Sequence, residues 1–186
     1  MTAPIEQYLT ILEAWTGTEG RHDRVTDDRE NPPVWVFSYP GYPVPGGITG
    51  FTYGLSSVDN PLWRLGKPET VISVDSESLD WPLAGGFLVK RFRGKSAFEY
   101  GDVLRFGERI VDESEMSAVV VFIPTDIPEN AGSLKLPDRT INLVQLYPIY
   151  EEEIDLIRQH GPEEFLTRDD VDFHDVHRPN LGKISG

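Results

Sequence analysis

The residues most able to do chemistry lie in four short runs. Gly94-Lys95-Ser96 ends like a phosphate-binding loop, but such a loop needs a glycine five residues before its Gly-Lys pair, so that backbone amides can wrap phosphate. Val89 stands at that position. Gly46-Gly47-Ile48-Thr49-Gly50 lacks the glycine spacing of a dinucleotide fingerprint and reads as turn chemistry. His174-Asp175-Val176-His177, with Asp169, Asp170 and Asp172 upstream, gathers imidazoles and carboxylates. It fits neither the helical spacing of a zinc protease nor a calcium-binding loop, so exposed carboxylates with satisfied histidines are the expectation, and no metal or other cofactor is assigned. Ser56 has Leu55 before it and Ser57 after it, whereas a nucleophile elbow needs close glycines. No catalytic residue is assigned, and a hydrolytic enzyme built from a pair formed only in space is the weakest of the functional alternatives.

Composition narrows the classes further. The chain of 186 residues carries 31 acidic residues against 17 lysines and arginines, a formal net charge of -14. Such a field repels nucleic acid, and the cluster Lys90, Arg91, Arg93 and Lys95 is too short to reverse it. A basic protein partner suits it better, because opposite net charge speeds encounter. There is no cysteine, which removes thiolate catalysis, disulfides and cysteine-ligated metals. The N-terminus lacks the pattern of a signal peptide and no uncharged apolar stretch approaches 18 residues, so a cytoplasmic protein without membrane contact is expected.

The elements that must position these residues follow from periodicity. Ile5, Tyr8, Leu9, Leu12 and Trp15 recur at spacings of three and four, which predicts a helix over 4–15 ended by Gly17. Residues 18–33 are polar and read as a solvated linker, the best candidate for a mobile segment. Strands are expected at 34–39, 50–55, 70–74, 102–106, 118–123 and 141–147, with loops at 40–47 and 124–137. Trp81-Pro82 opens a helix running to Arg93, which Gly85 and Gly86 weaken by roughly 1 kcal/mol each, so it needs packing to persist. A last helix spans 151–160, favoured at its start by Glu151-Glu152-Glu153 and stopped by Gly161-Pro162. A short turn follows at 163–166. This predicts an α+β fold with a mixed or largely antiparallel sheet flanked by helices, in one domain over 1–178 with a loose C-terminal tail, 179–186.

Two segments carry a family resemblance. Thr52-Tyr53-Gly54-Leu55-Ser56 is similar to the short Gly-Leu-Ser signature of the suppressor-of-fused-like family. The run from Leu143 through Pro148-Ile149-Tyr150-Glu151-Glu152-Glu153 resembles that family's strand followed by Pro-Ile-Thr-x-x-Glu and a helix, with Tyr150 in place of the usual small hydroxyl. A Gly101-Asp102 turn lies between them, and the resemblance spans roughly residues 34–178. It reaches only the N-terminal domain of the animal regulators for which the family is named. Stand-alone bacterial members are regarded as immunity proteins of polymorphic toxin systems, which implies a chain that binds and neutralises a cognate toxin. The rival is a regulatory module gripping a non-toxin peptide, for instance by strand addition. Glu151, Glu152, Glu153, Asp169, Asp170 and Asp172 are the candidate partner-binding residues. Gly54, between bulky neighbours, is expected to serve a tight turn or close approach, with Ser56 satisfying a local backbone group.

Overall fold

Where a polar backbone must cross an apolar interior, its amides and carbonyls have to pair with one another, and among the described residues eight strands do so in one mixed sheet. A computed structural model describes residues 3–26, 31–63, 66–129 and 131–184. Helix α1 (Pro4–Thr16) precedes β1 (Arg21–Val25), β2 (Val34–Pro40), β3 (Ile48–Tyr53) and β4 (Lys67–Val74). Helix α2 (Asp80–Phe92) then leads to β5 (Val103–Arg105), β6 (Ala118–Phe122), β7 (Ser133–Lys135) and β8 (Thr140–Ile149). A 3-10 turn (Glu151–Glu153), α3 (Ile154–His160), α4 (Pro162–Leu166) and α5 (Leu181–Ile184) close the described chain. The strand order is β1-β2-β3-β4-β8-β6-β5, with β7 also pairing β8. All of these pairings are antiparallel except β4 with β8, which run parallel from Lys67↔Ile141 to Val71↔Gln145. The expected fold class is the observed one.

Alternation along the strands divides the apolar side chains between two faces. On one face Val34, Val36, Ile48, Ile72, Val74, Val144 and Leu146 meet Trp81, Ala84 and Leu88 of α2. On the other, Phe37, Phe51 and Tyr53 meet Tyr8 and Leu12, the buried stripe of α1. Beyond α1 the same face carries a separate cluster in which Ile154, Ile157, Phe165, Phe173 and Leu181 cover Ala118, Val120, Tyr147 and Ile149.

The glycines that weaken α2 as a helix are what allow its close seat. A Cβ at Gly86 would lie 2.5 Å from Val36 Cγ2, and one at Gly50 would lie 2.6 Å from Pro82 Cβ. Burial of Trp81 and Leu88, both inaccessible to solvent, outweighs the propensity deficit.

Four segments differ from the sequence reading. Residues 21–25, read as linker, are an edge strand, paired from Arg21↔Ser38 to Val25↔Val34. Only Val25 of β1 is buried, and charged side chains at an edge guard against further pairing, so the segment lacks an apolar signature. The stretch 27–30 at the centre of the expected mobile segment lies outside the described residues. Within the expected loop 124–137, β7 pairs with β8, and the expected turn at 163–166 is the helix α4. The tail is also more ordered over 179–184 than expected: Leu181 is buried and its amide donates to Glu153 Oε1 at 3.0 Å.

Gly50→Ala should lower the unfolding free energy by about 1–3 kcal/mol through overpacking against Pro82. Urea denaturation with an unchanged m-value is the check.

Candidate functional site

The Tyr53-Gly54-Leu55-Ser56 turn is built around a carboxylate that the sequence reading did not single out. Glu69, in β4, has no exposed surface. Its Oε1 accepts hydrogen bonds from Gly54 N (2.7 Å), Ser56 N (2.9 Å) and Ser56 Oγ (2.6 Å). Its Oε2 accepts from Thr52 Oγ1 (2.8 Å) and Leu55 N (3.3 Å). Burial pushes the Glu69 carboxyl above the ordinary range, and the donors from Ser56, Gly54 and Thr52 pull against that rise. Ser56 therefore satisfies Glu69 rather than a local backbone group. Gly54 adopts φ 152°, and a Cβ there would lie 2.8 Å from Pro33 O, so close backbone approach requires glycine. Outside the turn, Arg139 Nη1 donates to Ser56 O at 2.6 Å and Arg93 Nη1 to Gly54 O at 3.3 Å.

Pro148-Ile149-Tyr150-Glu151-Glu152-Glu153 is a second structural knot. Glu153 was expected on an acidic surface, but it is fully buried. Its oxygens take Arg178 Nη1 at 2.5 Å and Nη2 at 2.8 Å, together with the amides of Tyr150 and Leu181, each at 3.0 Å. The Arg178 guanidinium lies 5.4 Å from the Tyr150 ring centroid and 4.9 Å from that of Phe173. The Tyr150 hydroxyl donates to Arg178 O at 2.6 Å, a reach that a small hydroxyl residue does not have. Arg178 Nη2 also approaches Pro148 O at 3.4 Å. Residues 172–180 thereby form a strap. Besides Arg178 O, its His174 O accepts from Asp75 N (2.9 Å) and its Val176 O from Ser114 Oγ (2.7 Å).

The other five candidate carboxylates are exposed around the cluster formed by α3, α4 and α5. Glu151 pairs with Arg105 at 2.8 Å, and Glu152 accepts from Asn180 at 2.9 Å with Lys183 at 3.4 Å. Asp170 pairs with Arg168, and Asp172 accepts the His174 amide at 2.9 Å. The hydrogen bond from Asn180 holds the Glu152 carboxyl below its usual range, and that from Arg168 does the same for Asp170. Part of this acidity is thus neutralised within the chain. Among the described residues no group of three or more histidines, aspartates and glutamates could hold a metal ion. Ser96 of the Gly-Lys-Ser fragment donates to Asp102, which also accepts the Glu99 amide, so the fragment and the Gly101-Asp102 turn brace each other.

The sequence reading did not find the groove of about 680 Å³ beside the starts of β4 and β8, lined mainly by Leu62, Trp63, Pro68, Phe98, Tyr100 and Val144. Leu62 and Tyr100, 57% and 54% exposed, line it together. Trp63 is fixed by its Nε1 donating to Ala97 O at 2.9 Å, and Tyr100 leans on Phe122 with ring centroids 5.7 Å apart. The wall comes from three separate parts of the chain, and no local pattern announces it.

Comparison with known proteins fits this construction. The family described as "Suppressor of fused protein (SUFU)" matches residues 30–179. The chain belongs to the suppressor of fused family. A putative SUFU homolog from Neisseria gonorrhoeae shares 18% identity at a TM-score of 0.73, with 94% of each chain covered. A structure of a Sufu–Fu complex aligns at 12% identity and TM-score 0.67, over 97% of this chain and 93% of the other. Suppressor of Fused from Drosophila aligns at 13% identity and TM-score 0.59, over 83% of this chain and 44% of its own. No curated protein matches the sequence. At these identities the solved structures show a shared fold.

Arg178→Met should cost about 3–5 kcal/mol in urea denaturation, because it strands the buried Glu153 carboxylate. Adding Glu153→Leu should not restore stability, since the Tyr150 and Leu181 amides then lose their acceptor.

Proposed function

We propose that this protein acts in the cytoplasm as an immunity protein that binds and neutralises a cognate, basic toxin domain. The observation that carries the reading is an apolar groove with exposed aromatic and aliphatic walls on a chain of net charge -14. Charge and groove have separate tasks. Exposed Glu151, Glu152, Asp169, Asp170 and Asp172 supply a negative field that speeds encounter with a basic partner, while residence time depends on what packs in the groove. Family membership and the Sufu–Fu complex support a protein as the ligand. Strand addition, the rival mode, is disfavoured at the β1 edge by Arg21, His22, Asp23 and Arg24.

The test starts with a pull-down from the native host, and calorimetry and kinetics on the recovered partner follow. A basic partner whose toxicity is suppressed by co-expression is expected. Tyr100→Ala should raise its dissociation rate about tenfold or more. Neutralising Glu151, Glu152, Asp169 and Asp170 together should slow association, with a deficit that shrinks as salt rises. Recovery of no protein partner, together with turnover of a small metabolite, would overturn the proposal.

A further inference from the structure

On the α1 face of the sheet a band of polar side chains separates the cluster beneath α1 from the cluster beneath α3 to α5. Thr49 and Ser73 share a hydrogen bond of 2.7 Å there, and Gln145 and Tyr147 of β8 hold the loop 123–129. Gln145 accepts from Thr125 N at 2.9 Å and donates to Asp126 Oδ2 at 3.3 Å, while the Tyr147 hydroxyl donates to Ile123 O at 2.9 Å. From the other side the Tyr42 hydroxyl donates to Asp126 O at 3.0 Å. The strap reaches this loop through His174, whose Nε2 lies 2.7 Å from Asp126 Oδ2. Its Nδ1 lies 3.4 Å from Asp172 Oδ1.

An imidazole with a carboxylate at each nitrogen can satisfy both only when both nitrogens carry protons. In the neutral ring one nitrogen presents a lone pair to a carboxylate, and even where Nε2 keeps the proton its bond to Asp126 is no longer charge-assisted. We propose that His174 is a pH-operated clasp that, as imidazolium, locks loop 123–129 to the C-terminal strap and, as neutral imidazole, lets that loop loosen. Loosening has a route to the groove, because the chain continues from this loop to Gly132, which lines the groove and whose carbonyl accepts Leu143 N at 2.9 Å. The clasp stands whatever the groove binds.

The groups facing the ring fix the direction of the switch. They are Asp126 from the loop, Asp172 from the strap, Asp75 after β4, and the Tyr147 ring with its centroid 6.2 Å away. The hydrogen bond to Asp126 holds the His174 pKa above its usual 6.5, against desolvation and with help from the charges of Asp126, Asp172 and Asp75. Desolvation raises the Asp126 carboxyl, but the hydrogen bond and charge of His174, with Gln145 and Ser73, leave it below its usual 3.8. A raised histidine contributes stability that is complete below its unfolded pKa and lost as pH rises through the folded one. The lowered aspartate contributes stability that is present above its unfolded value and lost only as pH falls through its folded value. The clasp is therefore closed below the ordinary histidine pKa and opens only as pH rises through the raised one.

The test is NMR on the full chain from pH 5.5 to 9, following the His174 ring and the exchange protection of the 123–129 amides after correction for intrinsic rates. Wild type should lose protection of the Thr125 amide as His174 deprotonates, with the midpoint of the loss following the titration of the ring. His174→Gln should show a flat profile. Asp172→Asn, which alters an exposed side chain and can keep the turn to the His174 amide, should lower the His174 midpoint while leaving the fold intact. Identical pH profiles in wild type and His174→Gln, or a His174 midpoint at or below 6.5 together with no effect of Asp172→Asn, would overturn the proposal.

Discussion

Placing the Glu69 carboxylate inside the sheet costs several kcal/mol in desolvation, and that cost dictates the geometry around it. Five donors meet its two oxygens, three of them backbone amides of one turn. Those amides can converge only if Gly54 takes a conformation closed to other residues and lies against Pro33. The turn's outward carbonyls then fall to Arg93, at the end of α2, and Arg139, just ahead of β8. One charge thus ties β3, β4, α2 and the entrance to β8 together, and the groove lies beside the starts of β4 and β8.

A second buried carboxylate solves the same problem differently. Glu153 has a cationic partner and two backbone amides, where Glu69 has neutral donors only. Its partner Arg178 comes from a strap that buries only Phe173 and Val176 among its large apolar side chains, so the ion pair and the carbonyls of His174, Val176 and Arg178 add polar anchors to those two. Mobility and pH response can enter at His174 because the clasp there is part-exposed, whereas Glu69 and Glu153 are closed to water.

Elements with a strong apolar period were legible in the sequence. The stripe of α1, the Trp81-Pro82 start of α2, the β-branched runs of β4, β6 and β8 and the Gly161-Pro162 stop all stand near where periodicity and turn chemistry put them. β1 was not legible, because an edge strand made of Arg21, His22, Asp23 and Arg24 has charge where a strand usually has valine. The Tyr53–Ser56 turn and the Pro148–Glu153 run were visible as motifs, but their physical reason was not, since Glu69 and Arg178 reach them from 13 and 25 residues away. Glu153 looked like the third of three exposed acids; only the position of Arg178 shows that it is buried. The groove could not be read at all, because Leu62, Phe98, Tyr100 and Val144 meet through topology alone.

If Glu69 organises the Gly54-Leu55-Ser56 turn as an anion acceptor, amide hydrogen exchange at those three residues must differ between wild type and Glu69→Gln. The substitution keeps the side chain's size and replaces one acceptor oxygen by a donor. The three amides should be among the most protected in wild type, and their protection should fall by at least tenfold more than that of the β6–β8 ladder in the variant. Equal protection of the turn in the two proteins would contradict it.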